Sequence, residues 1–380
     1  MRPMHRSAVA LLLVCAGAGT LQGQASDALY TRWAGYTGFQ FQSYSFSTPS
    51  GAKSSEFAIP VVLVAPLGSS MSVDLTAHYA SAKTNGGGGG SDQTLSGLTD
   101  TQLRLLYTLN RDRLVASLSV NLPTGQRALT TNQFTVYEAV GSNYLSFPVS
   151  DFGTAFGATG GLAFATPAGA WNVGVSGAVR YTGSYTLLSD PSGSTNYKPG
   201  VEFRGRVGAD RLVGQSSRFL AGLTASTFSN EQLSGSGGPR TGQLAPGLRI
   251  IGDAGWTSAM GSNTLSIAVW DYYRAKGTFQ QDTLTIRTNS ENVLNAEARF
   301  AIPASPQVSI QPVVGVRTWS PGQKGGTYVT GGLAARFGLS DQFTAAVEGR
   351  YTTGKALEQL AGQIVNFTGA SVQLTLRYQH

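Results

Sequence analysis

Ser371-Val372-Gln373-Leu374-Thr375-Leu376-Arg377-Tyr378, close to the C-terminus, alternates strictly between polar and apolar residues. Successive side chains of an extended strand point to opposite faces, so Val372, Leu374, Leu376 and Tyr378 share one face and Ser371, Gln373, Thr375 and Arg377 the other. The same period recurs upstream. Leu114, Ala116, Leu118, Val120 and Leu122 alternate with Val115, Ser117, Ser119 and Asn121; Val201, Phe203, Gly205 and Val207 alternate with Glu202, Arg204 and Arg206. Leu294, Ala296, Ala298 and Phe300 alternate with Asn295, Glu297 and Arg299, and Phe343, Ala345, Val347 and Tyr351 with Thr344, Glu348 and Arg350.

A soluble sandwich alternates as well, so the character of the two faces decides. One face is Ala, Val, Leu and Gly, with aromatics gathered toward strand ends at Tyr107, Tyr181, Tyr272, Tyr273, Phe337, Tyr351 and Tyr378. The other face is polar and charged. That is the pattern of a transmembrane barrel, with an apolar band toward lipid, aromatic girdles at the interfaces and a polar interior. The alternating segments run for roughly 10–14 residues, enough to cross a bilayer at the usual strand tilt.

The connectors alternate in length. Short ones fall at 66–70, 110–113, 167–170, 214–217, 260–263, 304–306 and 338–341. Longer ones fall at 48–54, 83–96, 123–152, 188–199, 230–242, 279–289, 320–325 and 354–365. Short turns on one rim and longer loops on the other are the barrel rule. The expected fold is all-β: a transmembrane antiparallel up-and-down barrel of sixteen strands, with both ends on the short-turn rim and fourteen strands as the alternative.

Composition supports this reading. Only 12% of residues are charged, which with 41% hydrophobic content argues against a disordered chain. No stretch after residue 25 is long and apolar enough for a membrane-spanning helix. Residues 1–25 read as a secretory leader: Arg2, His5 and Arg6 are basic, Ala8 to Ala18 is an apolar run too short to span, and Gly23-Gln24-Ala25 offers small residues for cleavage. Cys15, the only cysteine, falls inside the leader, so residues 26–380, the expected barrel, carry no thiol, disulfide or cysteine metal site. The formal net charge of +7 is not gathered into a run, which excludes a nucleic-acid footprint. Five glycines at 86–90 read as a solvated loop tip, because no Lys-Ser or Lys-Thr follows to make a phosphate cradle.

Little in the chain could carry catalysis. His78 shares a strand face with Asp74, but no Gly-x-Ser-x-Gly nucleophile is present, so His78 reads as a polar residue of the lumen wall and the chain as no enzyme. No His, Cys or carboxylate spacing suggests a metal, and no cofactor is expected. A charge facing lipid at mid-membrane costs ~2–4 kcal/mol, so charged residues within strands are expected to face inward. This places Arg104, Arg180, Arg204, Arg206, Arg249, Arg274, Arg299, Arg317, Arg336, Arg350 and Arg377 in the lumen, with Asp74, Glu202, Asp210, Asp253, Asp271, Glu297 and Glu348. Many should pair across strands. The arginines outnumber the carboxylates, which favours anions in an open pore. The longest loop, 123–152, carries Phe134, Val136, Tyr137, Val140, Tyr144, Leu145 and Phe147. Residues so apolar either fold into the barrel mouth as a gate or cap its rim. Phe134, Tyr137, Tyr144 and Phe147 are the candidate gate residues.

Two short segments bear on family. Gly97-Leu98-Thr99-Asp100-Thr101-Gln102-Leu103 leads into a strand, and Val120-Asn121-Leu122-Pro123-Thr124-Gly125 closes the next one. Across residues 97–165 the chain resembles the outer-membrane proteins encoded with phenol and aromatic meta-cleavage pathways, relatives of the fatty-acid and toluene channels. The resemblance implies a bacterial outer-membrane passive channel for small hydrophobic or aromatic solutes. It departs from the fatty-acid channels in lacking a helical plug ahead of the first strand. A general or weakly anion-selective porin, and a non-conducting structural or adhesion barrel, are the alternatives. The expected partners are outer-membrane lipids, the barrel-assembly machinery during insertion and a small-molecule solute, with no nucleic acid; a homotrimer is a further expectation.

Overall fold

The computed structural model describes residues 33–47, 51–85, 92–109, 113–191, 193–235, 241–281, 284–322, 325–358 and 363–380. The leader at 1–25 and the glycine run at 86–90 lie outside the described residues. The chain opens with β1 (Ala34–Phe46), β2 (Lys53–Pro66) and β3 (Met71–Asn85). The fourth wall strand is built in two pieces, β4 (Gln93–Leu98) and β5 (Thr101–Leu109). Next come β6 (Leu114–Leu122), helix α1 (Thr131–Val140), β7 (Gly157–Ala168) and β8 (Trp171–Thr182). Three outer hairpins then interleave with wall strands. These are β9 (Tyr185–Asp190) with β10 (Gly193–Lys198), β13 (Glu231–Gly235) with β14 (Gly242–Ala245), and β17 (Thr278–Gln281) with β18 (Leu284–Arg287). The walls between and after them are β11 (Glu202–Val213), β12 (Ser217–Phe228), β15 (Arg249–Met260), β16 (Asn263–Arg274), β19 (Glu291–Pro303), β20 (Val308–Pro321), β21 (Gly326–Gly338), β22 (Phe343–Glu358) and β23 (Gln363–Gln379).

Neighbouring wall strands pair antiparallel in chain order, and β23 returns to pair with β1 from Ala34↔Gln379 to Phe46↔Phe367. The result is a closed barrel of sixteen strands. Closure leaves no unpaired wall edge, the condition a spanning sheet must meet where no water can satisfy its backbone. The first described residue and the C-terminus meet on the short-turn rim, where His380 N donates to Trp33 O at 2.9 Å.

The two faces carry opposite chemistry. Leu162, Val175, Phe203, Val207, Leu223 and Val314 all point outward and are 50–61% exposed, which in water would be an aggregating surface. In lipid it is the apolar belt. Trp171, Arg211, Phe219 and Trp256 succeed one another across the outward register near the short turns, a girdle at the interface. The Arg211 guanidinium lies 5.6 Å from the Trp171 ring centre. The barrel therefore spans a membrane of the outer-membrane type, held by this belt and girdle. Val207→Arg, at the middle of the belt, is expected to cost ~2–4 kcal/mol of folding stability in phospholipid vesicles, read from the shift in urea midpoint. A loss below ~1 kcal/mol would place Val207 away from the lipid midplane.

Two expectations change. Adjacent residues must face opposite ways, and register assigns Tyr272 inward, opposite Val293, with Tyr273 outward. Tyr272 is thus no part of the girdle. By the same alternation Asp271, paired with Leu294, points outward rather than into the lumen. It lies near the outer strand end and accepts a 2.8 Å hydrogen bond from Asn292. A carboxylate there sits toward the headgroups, where the burial penalty fades.

The connectors at 188–199, 230–242 and 279–289 are also more ordered than loops. Their hairpins pair side by side into a six-stranded sheet that extends one side of the wall. Gly200 and Gly247 mark the crease between the two sheets. A Cβ at either would overlap a neighbouring carbonyl oxygen, that of Ser229 or of Ala275. The breaks in the ladder read as loops because Pro and Gly interrupt the alternation there.

Candidate functional site

The segment from 123 to 156 enters the barrel and lies on its inner wall. Its neck is tied by the two motifs. Asp100 Oδ1 accepts from Gly125 N at 3.0 Å, and Oδ2 accepts from Asn121 Nδ2, Thr154 N and Thr154 Oγ1 at 2.7–2.8 Å. Thr124 Oγ1 donates to Thr99 O and accepts from Thr101 N, both at 2.9 Å. Gly125 and Gly153 press together so closely that a Cβ on Gly125 would overlap the Phe152 carbonyl oxygen.

Asp100 reaches the neck because the fourth strand bulges. Residues 99–101 oppose only 77–78 of β3, since Tyr79 pairs Leu98 while Thr76 pairs Gln102. Such an extra residue re-aims a side chain. His78, on the inward face, donates its backbone N–H to Thr99 Oγ1 at this bulge.

Beyond the neck, Thr130 caps α1 and Gln133 returns to the Thr130 N–H, a capping box. Thr131 is tied to Asp190 of β9 at 2.5–3.1 Å. Val136 and Val140 pack within one apolar cluster with Ala58, Ala80, Ala82 and Leu95 of the wall. Small inward residues on β2 and β3 leave the volume that the helix fills. Phe134 and Tyr137 stack at 5.9 Å and rest against this cluster.

The loop then continues along the adjoining wall, over β1 and β20–β23. Tyr144 stacks on Trp319 at 5.3 Å, packs on Tyr328 at 5.0 Å and donates its hydroxyl to Lys355 O at 2.5 Å. Phe147 meets Tyr44 edge-on at 5.2 Å. Arg317 holds this stretch from below, donating to the Tyr144 carbonyl at 3.2 Å, to Ser146 and to Asn295, with Trp270 under its guanidinium at 4.9 Å. Glu56, almost fully buried, accepts from Val149 N at 2.8 Å, while its second oxygen has no partner. Inside the barrel the loop therefore lies against β1–β4 and β19–β23, its ends are held by Asn121 of β6 and by Leu187–Asp190 of β9, and the wall from β7 to β16 faces the remaining cross-section.

The lumen residues sort into two groups. Arg299 and Arg350 interlock with Glu297 and Glu348 in a neutral quartet reaching from β19 to β22. Gly332 lies between them in register, where a Cβ would press on Arg350. Arg206 makes two bonds to Asp253, at 2.6 and 2.9 Å, passing over Gly222. Arg204 pairs with Glu202 at 2.8 Å. Arg180, exposed to the lumen, and Arg249 have no carboxylate bonded to them among the described residues. Sequence reasoning did not single out Asp100, Gly125, Gly153 or Glu56 as parts of the site. The Gly-Leu-Thr-Asp segment was the available signal for the first.

No family model and no curated protein matches the chain. Solved structures do. A FadL homologue of Pseudomonas aeruginosa shares 11% identity over 92% of this chain and 90% of its own, at a TM-score of 0.43. The CymD monoaromatic hydrocarbon channel shares 10% identity, covering 92% and 88%, at 0.42. An anion-selective porin from Comamonas acidovorans shares 12%, covering 92% and 98%, at 0.41. Overlap of this degree transfers neither a residue's role nor a solute.

Above the lumen the inner face of the outer sheet carries Tyr185 and Tyr197, edge to face at 5.7 Å. Glu231 sits beside them. Burial raises its pKa above the ordinary carboxylate range, partly offset by the Tyr197 hydroxyl and the Arg249 and Arg274 charges. A raised pKa means that the negative charge is lost early as pH falls. The channel mouth should thus become more positive as pH falls from neutral, before ordinary carboxylates titrate, and anion preference should rise. Reversal potentials under a salt gradient check this; an E231Q barrel should show a weaker dependence, and an unchanged slope would assign the titration to another group.

Proposed function

We propose that the protein is a passive outer-membrane channel for small hydrophobic or aromatic solutes, with the 123–156 loop as its gate. The observation that carries this reading is the loop itself, folded onto the inner wall, with Tyr144 and Phe147 buried in its apolar cluster and Phe134 and Tyr137 half-buried against it. A barrel of sixteen strands is wide enough to leave an aqueous passage beside such a loop. A catalytic role finds no support in the residues around His78, which is engaged through its backbone at the bulge.

A second reading, an anion-leaning porin, is favoured by the wall from β8 to β16, where arginines predominate. Single-channel recording of the refolded protein in planar bilayers separates the two. Large, steady, anion-preferring steps favour the porin. Small conductance with liposome uptake of a neutral aromatic compound favours the aromatic channel. Absence of both signals would leave a non-conducting barrel and overturn the proposal.

A further inference from the structure

One row of the inward register reads Arg204, Ser226, Arg249, Arg274, Glu291 across five neighbouring wall strands. Its ends are answered by carboxylates: Arg204 by Glu202 at 2.8 Å and Arg274 by Glu291 at 3.4 Å. Its centre is not. Arg249 stands directly opposite Arg274 in the ladder, an arrangement of like charges that is unfavourable by itself.

The Arg249 guanidinium lies over the Phe228 ring at 4.8 Å and the Tyr272 ring at 5.9 Å, and its Nε is buried without an acceptor. Glu202 and Glu231 are within electrostatic reach, but Glu202 is hydrogen-bonded to Arg204 and Glu231 to Tyr197. The neutral quartet farther along the same wall, from β19 to β22, shows how this chain neutralises arginines when nothing else is to bind them. Here the charge is half-buried, framed by two rings and bonded to no carboxylate among the described residues.

The chemistry that would use all of these parts is narrow. A chloride ion would use the charge and ignore the rings. A neutral aromatic would use the rings and leave the guanidinium unanswered. A carboxylate takes two parallel N–H bonds from a guanidinium, and an aromatic ring attached to it can pack against Phe228 or Tyr272. We propose that Arg249, framed by Phe228 and Tyr272 and flanked by Arg204 and Arg274, forms a binding site for small aromatic carboxylates on the lumen wall. This names the solute class of the channel and rests on that reading for its purpose, but not for its geometry.

Binding is measured by calorimetry on the refolded, full barrel in detergent, with sodium benzoate as the probe. Benzoate should bind saturably, and at least tenfold more tightly than acetate or benzyl alcohol. Arg249→Lys keeps the charge but lacks the planar fork, and should weaken benzoate at least tenfold. Phe228→Leu should weaken it several-fold. Arg218→Gln, which removes a lumen charge outside the site, should leave benzoate affinity unchanged. No saturable benzoate binding, equal affinity for acetate, or an equal loss in Arg218→Gln would overturn the proposal. Heat-dependent gel mobility of each variant verifies that the barrel has folded. Benzoate current in planar bilayers is measured separately. Benzoate binding lost in Arg249→Lys without any benzoate current sinks the channel reading and keeps the site. Benzoate current with binding indifferent to Arg249 does the reverse.

Discussion

Alanine at Asp100 is expected to release the 123–156 loop at its neck. The carboxylate takes four hydrogen bonds from Asn121, Gly125 and Thr154, which lie on both sides of the loop's crossing point. A bond to a charged group contributes ~1.5–3 kcal/mol, and four that share one carboxylate do not add fully, so the docked loop should lose on the order of 4 kcal/mol. The barrel wall does not depend on these bonds, because β5 and β6 are paired through their own backbone. The expected result is a folded barrel with several-fold larger conductance and faster tryptic cleavage at Arg127 in the loop. Unchanged conductance and unchanged cleavage would mean that the apolar cluster alone docks the loop.

A second large effect is expected inside the wall. Asp253 and Arg206 form a two-bond pair whose side chains are only 3% and 7% exposed, with Thr224 as a further acceptor for the guanidinium. Removing one member of a buried pair leaves the other desolvated, at a cost of ~3–5 kcal/mol. Asp253→Ala should therefore lower the urea midpoint strongly. Replacing the pair by Met and Leu together should recover most of the loss, since the desolvated charge then goes as well. A single variant that costs less than ~1 kcal/mol would mean that lumen water reaches Arg206 and screens it.

Both predictions concern contacts that alternation cannot reveal. The tie between Asp100 and Gly125 joins two segments that look like ordinary strand ends, and it exists because a bulge at 99–101 turns Asp100 toward the loop. The motif pair was visible in the sequence; its use as a clamp was not. Likewise the apolar density of residues 134–147 marked a loop that would not remain in water, but not whether it would enter the barrel. That outcome depended on Ala58, Ala80 and Ala82, small side chains on strands far from it in sequence, leaving room on the inner wall.

What the sequence determined by itself was the wall. Period-two alternation with an apolar outward face, connectors alternating in length, and strands long enough to cross specify a barrel almost independently of context. Lipid and lumen impose opposite demands on adjacent residues, and the backbone obliges them to alternate. What only the tertiary structure decided was everything that depends on register between strands. Tyr272 faces inward over Arg249, Asp271 faces outward near the headgroups, and Arg299 and Arg350 are neutralised while Arg249 is left among rings. The physical reason is the same in each case. A strand's own sequence fixes which of its residues share a face, whereas partners across the barrel are set by pairing and closure, and these bring together residues separated by tens or hundreds of positions.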